Sequence, residues 1–198
     1  MRTTKHIAPE DRPTLDQLER LYKKLRYRQR FSSTLRSTLY MLITVAAVAV
    51  LVAVLLLPVL QIYGRSMTPT LTEGDIVVSV KTSDFAPGDV IGFYYNNKIL
   101  VKRVIAQTGD WVNIDEEGNV YVNNVPLNEP YISEKAFGDC NIELPYQVPE
   151  SRVFVMGDDR AVSLDSRNKA IGDVADEAVV GKIVFRVWPL SDFGPINR

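Results

Sequence analysis

From Leu39 to Leu60 the chain is one unbroken apolar run, relieved only by Thr44 and the Tyr40 hydroxyl and free of charge. As a helix rising about 1.5 Å per residue, the run reaches about 33 Å, enough to cross a bilayer core. A cleaved secretion signal has a shorter apolar core nearer the N-terminus, so residues 39–60 read as a retained transmembrane helix. The alternative, a buried helix of a soluble fold, sits badly with this length. Upstream, Met1 to Pro13 is polar and expected to fray. Thr14-Leu-Asp-Gln17 reads as a capping box, after which Leu15, Leu18, Leu21 or Tyr22, and Leu25 recur at helical spacing. The same stretch carries Arg20, Lys23, Lys24, Arg26, Arg28, Arg30 and Arg36. Such a basic helix either lies on an anionic membrane face or is a solvated tail.

Beyond residue 75 the period changes from helical to alternating. Strands are expected over Asp75–Thr82, Asp89–Tyr95 and Lys98–Ala106, with turns at Pro87-Gly88 and at Asn96-Asn97, where Asn tolerates positive φ. Asp110–Asp115 and Asn119–Asn123 form a second hairpin around Gly118. Residues 124–150, with Pro126, Pro130, Pro145 and Pro149, read as a long irregular excursion. Arg152–Met156 and Gly181–Trp188 are further strands, the last stopped by Pro189, and residues 173–180 hold a short turn or helix. Gly-Asp recurs at Gly74, Gly88, Gly109 and Gly157 with irregular spacing, which is turn chemistry and not a repeat. Short strands with frequent turns and no strand–helix alternation give a mainly β, antiparallel domain. The expected organisation is residues 1–38 as a segment with a basic helix, 39–60 as the anchor and 61–198 as the β domain.

Charge sharpens this division. Residues 1–60 carry ten Lys/Arg against four Asp/Glu, and residues 61–198 thirteen against twenty, for a net −1 overall. The basic flank precedes the anchor, so the positive-inside rule puts the N-terminus in the cytoplasm and the β domain outside it. An acidic β domain argues against nucleic acid as a partner. With one Cys, Cys140, no intrachain disulfide is possible, and no Cys/His cluster supports zinc. Cys140 is either a small packed side chain or an exposed loop thiol. The one His, His6, precedes the anchor, so a Ser-His-Asp triad in the β domain is excluded. A serine hydrolase built here takes its base from Lys or a carboxylate.

Three stretches carry candidate chemistry. In Gly64-Arg-Ser-Met-Thr-Pro-Thr-Leu71, Ser66 is a small nucleophile candidate between a permissive Gly and the turn-forming Pro69. In Ile99–Ala106, alternation places Lys102 with Leu100, Val104 and Ala106, and Arg103 with Val101 and Ile105. An ammonium among aliphatic neighbours has its pKa pushed down, and the neutral amine is a competent base for a hydroxyl. The bland alternative is an edge-strand Lys snorkelling to water. In Gly157-Asp-Asp-Arg-Ala-Val-Ser-Leu-Asp-Ser-Arg167, Ser163, Asp165 and Arg167 alternate. If extended they share one side, able to orient a lysine; the alternative is a polar loop with a surface salt bridge.

Together these stretches, in this order behind a single anchor, resemble the type I signal peptidases (leader peptidases) over residues 39 to about 188, in the compact Gram-positive bacterial form. The resemblance implies a membrane-bound serine endopeptidase with a Ser/Lys dyad, which removes signal peptides from exported preproteins outside the cytoplasm and needs no cofactor or metal. It implies Ser66 as nucleophile with its backbone N–H toward the oxyanion, and Lys102 as general base. Ser163 would orient Lys102, Asp165 and Arg167 would form a supporting ion pair, and Gly157 would permit close packing. Met67 and the strands around it would border a groove for preproteins with small residues, Ala-X-Ala, before the cut. Two positions depart from the family's usual pattern. Asp159 stands where Asn is frequent, and Gly64 stands where some members place a Ser that helps hold the oxyanion. Another Ser/Lys protease, such as a self-cleaving repressor, and a membrane-tethered β module that only binds are the rival readings.

Overall fold

The computed structural model describes residues 14–196; the expected frayed stretch Met1–Pro13, with His6, lies outside the described residues. The chain divides into two compact units between Val52 and Ala53.

The first unit is helical. Helix α1 runs Leu15–Leu56 without interruption, so the basic stretch and the apolar run are one helix and not two. At its start the Thr14 N–H donates to Gln17 Oε1 at 3.1 Å, the reciprocal half of a capping box. Neighbours one turn apart pair along it, as with the stacked rings of Tyr27 and Phe31, 6.3 Å between centroids. The Thr44 hydroxyl donates to the Tyr40 carbonyl at 2.9 Å, which satisfies that polar side chain of the apolar run within the helix itself, the arrangement that suits hydrocarbon surroundings. Among the described residues α1 is the one helix long and apolar enough to cross a membrane. It ends at Leu56 and not at the expected Leu60. Pro58 supplies no N–H and disfavours helix at the residue before it. The Pro58 carbonyl is instead taken by the Ser79 N–H and hydroxyl, at 2.9 and 3.1 Å.

The second unit is built of short strands: β1 Val59–Gln61, β2 Ile76–Val80, β3 Val90–Tyr95, β4 Lys98–Ala106, β5 Trp111–Ile114, β6 Val120–Val122, β7 Val125–Pro126, β8 Tyr146–Gln147, β9 Arg152–Met156, β10 Val174–Ala175, β11 Val179–Trp188 and β12 Gly194–Pro195. Their pairings are antiparallel. The larger sheet has the order β1-β2-β11-β3-β4-β9-β10, with β12 against β11, and the smaller one β7-β6-β5-β8. The expected strands form; β1, β7, β8, β10 and β12 are additions too short to show as alternation. β7 and β8 lie in the 124–150 excursion, which therefore closes the small sheet on both sides.

Three apolar clusters hold the unit. Ile105, Ala106, Phe154 and Met156 meet Val112, Ile114 and Val120 where the sheets join. Ile91, Phe93, Val104 and Val155 fill one region of the large sheet, and Ile62, Met67, Leu71, Val77 and Ile183 another. β4 has a register shift against β9 between Val104 and Ala106, which corrects the simple alternation. The bulge turns Ala106 into the cluster of Ile105 and away from the Lys102 face.

Three of the four Gly-Asp phrases are one device. Gly74, Gly88 and Gly109 have φ of +94°, +92° and +85°, and the following Asp75, Asp89 and Asp110 each accept from the N–H three residues back, at 2.9–3.0 Å. Gly157-Asp158 is different, and it belongs to the site.

Candidate active site

Ser66 is carried on a turn whose inner side is anchored. Gly64, at φ +83°, swings the chain away from β1. Met67 and Leu71 sink into the core and are joined by a Leu71 N–H to Met67 carbonyl bond of 2.8 Å. Ser66 is left half-buried, and its carbonyl accepts the Asp159 N–H at 3.1 Å.

Lys102 lies in the middle of the sheet, flanked by β3 and β9, and is only 4 % exposed. It is not an edge lysine reaching for water. Its Nζ donates to Ser163 Oγ at 3.0 Å. Burial pushes its pKa down from 10.5 to about 8; the Asp165 carboxylate opposes that and the Arg167 guanidinium adds to it. Ser66 and Lys102 line one cavity of about 70 Å³ together with Gln61, Tyr63, Met67 and Leu100. Met67, expected at the groove's border, is both lining and core.

The third stretch is a run of turns, not the extended segment that alternation requires. It still brings Ser163, Asp165 and Arg167 together through hydrogen bonds. Arg167 Nε and NH2 donate to the two Asp165 oxygens at 2.8 and 2.9 Å, and both side chains are wholly excluded from water. This ion pair is a buried structural element, not a surface bridge. Burial favours the neutral Asp165 acid. The Arg167 guanidinium and the hydrogen bonds from Gly157 and Ser163 prevail and hold it below the ordinary carboxylate range. Gly157 donates its N–H to Asp165 Oδ2 at 3.0 Å. A Cβ on Gly157 would collide with Ser163 Oγ and with the Ser66 carbonyl, so only a glycine allows the Ser66 turn and the Ser163 loop to approach this closely. Among the described residues no cluster of His, Cys, Asp and Glu is arranged to hold a metal ion.

Residues 35–188 match the family described as signal peptidase, peptidase S26. The chain belongs to that family. Its relatives include signal peptidase IB of Staphylococcus aureus (strain COL), 38% identical over 152 residues that cover 67% of this chain and 78% of that protein. Thylakoidal processing peptidase 1 of Arabidopsis thaliana, a chloroplastic protein, is 34% identical over 148 residues, 66% of this chain; the match spans 42% of that longer protein. A crystal structure of a signal peptidase I from Enterococcus faecalis V583 aligns with 27% identity and a TM-score of 0.43, over 50% of this chain and 96% of that one. Members of the S26 family are peptidases, and a tethered module that only binds is not favoured.

Around the signal peptidase site stand groups that alternation and motif did not disclose. Arg103, next to Lys102, donates Nε and NH2 to the two oxygens of Asp158 at 2.9 and 2.7 Å, and its guanidinium lies 3.8 Å over the Tyr131 ring. Arg160 pairs with Glu129, again in the interior. Burial, first, and the Glu129 charge, second, push the Tyr131 hydroxyl pKa up. The available signal was the density of charge in Gly157–Arg167 beside a strand of aliphatics. It shows that charges must be paired, not which pairs form.

Proposed function

We propose that this signal peptidase removes N-terminal signal peptides from exported preproteins with Ser66 as nucleophile and Lys102 as general base. One observation carries the reading: a buried, hydrogen-bonded lysine whose pKa falls to about 8 shares a small cavity with the half-buried Ser66. Neutral Lys102 takes the Ser66 Oγ proton as Oγ attacks the scissile carbonyl. The proton then goes to the departing amine, leaving an ester on Ser66. Lys102, neutral again, takes a proton from the water that attacks this ester and returns it to Oγ as the signal peptide leaves. Ser163 fixes the rotamer of Lys102, and the Asp165–Arg167 pair fixes Ser163. The Ser66 backbone N–H is one oxyanion donor. Gly64, having no side chain, contributes none, so a second donor comes from another group or water.

A cavity this small fits substrates with small side chains before the cut, of the Ala-X-Ala type. The lipid bilayer is the second partner: α1 anchors the enzyme, and its basic flank keeps the N-terminus cytoplasmic and the β domain on the outer side of the cell membrane. Cleavage of a preprotein in detergent micelles tests the dyad. Wild type is expected to cut after Ala-X-Ala, and Ser66→Ala and Lys102→Ala to leave the preprotein intact while remaining folded. Lys102→Arg is expected to fail too, because a guanidinium does not give up its proton. Robust processing by any of the three would refute the assignment.

A further inference from the structure

We propose that Glu129 is a positioning residue of this site, acting through Arg160 on the backbone of Gly157. The inference rests on the roles given above to Ser66 and Lys102. Glu129 comes from the irregular excursion, far in sequence from the three stretches that carry the chemistry. Its carboxylate takes both terminal nitrogens of Arg160: NH1 donates to Oε2 at 3.2 Å and NH2 to Oε1. With its fork engaged there, Arg160 aims Nε at the Gly157 carbonyl, 3.0 Å away.

Both polar groups of Gly157 are therefore held by charged side chains, its N–H by Asp165 and its carbonyl by Arg160. Gly157 has no room to shift toward the site without disturbing the reaction geometry, because the face where a Cβ would stand lies against both the Ser66 carbonyl and the Ser163 hydroxyl that Lys102 bonds. A displacement of this one peptide alters the spacing between the nucleophile's turn and the base's anchor. The excursion makes a second link to the same loop. The Tyr131 hydroxyl donates to Glu129 Oε1 at 3.2 Å, while the Tyr131 ring packs on Arg103, whose partner Asp158 follows Gly157. A buried ion pair is a poor device for stability, since apolar side chains of equal volume do as well. What the Glu129–Arg160 pair adds is a direction for Nε.

The test uses the full chain in detergent micelles and a preprotein substrate, with rates taken per folded molecule from circular dichroism. Glu129→Gln frees the Arg160 fork and is expected to lower kcat about 10- to 100-fold, with KM changed less than about threefold. Arg160→Lys keeps a cation for Glu129 but has no second nitrogen for Gly157, and is expected to lower kcat similarly. The double variant is expected to be no slower than the slower single one, because both act on the same carbonyl. If Glu129→Gln does not fold, Arg160→Lys decides alone. A kcat within twofold of wild type in a folded single variant, or losses that multiply in the double one, would overturn the proposal. Ser66→Ala in the same series separates the two ideas: cleavage by that variant would overturn the dyad itself.

Discussion

The role proposed for Lys102 comes at a cost to the fold. Its pKa falls from 10.5 to about 8 because burial disfavours the ammonium. The kcat/KM of the free enzyme is therefore expected to rise about tenfold per pH unit up to about pH 8 and then level off; a profile flat from pH 5 to 9 would remove Lys102 as the base. The same shift sets a stability trend. Between about pH 8 and 10.5 the unfolded lysine holds a proton that the folded one has released, so stability rises with pH across that window. Below pH 8 the full penalty is present. Lys102→Met, apolar and similar in length, is expected to raise unfolding free energy at pH 7 by up to about 3 kcal/mol while abolishing cleavage, as read by urea titration. At this scale the sequence disclosed identities and not partners. Ser66, Lys102, Ser163, Asp165, Arg167 and Gly157 were legible as a set. Arg103–Asp158 and Arg160–Glu129 were not, because charge pairing across 55 and 31 residues leaves no periodic trace.

The hairpin of β3 and β4 decides which side chain occupies the site. In its register Tyr95 faces Lys98 and Ile91 faces Lys102; a slip of one residue would turn Lys102 away and present Arg103 in its place. Asn96, at φ +51°, fixes this register through a two-residue turn. Asn96→Val puts a β-branched residue in the left-handed region and is expected to cost about 1–3 kcal/mol in unfolding free energy, with kcat falling if the register relaxes. Asn96→Gly is expected to match wild type in both. Equal stability of the Val and Gly variants would show that the turn does not set the register. This element was readable because Asn-Asn stands between two alternating runs. The end of α1 was not: hydropathy is blind to the difference between an apolar helix and an apolar strand, and Val59 and Leu60 serve β1, paired with Val78 and Val77. Pro58 was the available marker of that change. The β4 bulge was equally hidden, because a register shift against β9 leaves no mark in the apolar residues of β4 themselves.

Across the whole molecule, the division of labour is between anchoring and chemistry. The apolar clusters and the residues of the candidate site all lie in the second unit, while α1 supplies a membrane-length apolar surface. A preprotein held in the same bilayer by its own apolar segment meets an anchored enzyme at an effective concentration set by the membrane and not by the bulk solution. Deleting residues 1–56 is therefore expected to act on encounter and not on the proposed Ser66/Lys102 pair. On a short soluble peptide ending its signal portion in Ala-X-Ala, kcat/KM of the truncated enzyme should stay within about threefold of the full chain. On a preprotein in liposomes, cleavage should fall about 10²-fold or more, the scale of a lost intramolecular advantage. The pair of substrates makes the comparison decisive. Equal losses on both would mean that residues 1–56 help to shape the site. Equal retention on both would mean that the bilayer does not bring enzyme and preprotein together, and that recognition resides in the groove beside Ser66 alone.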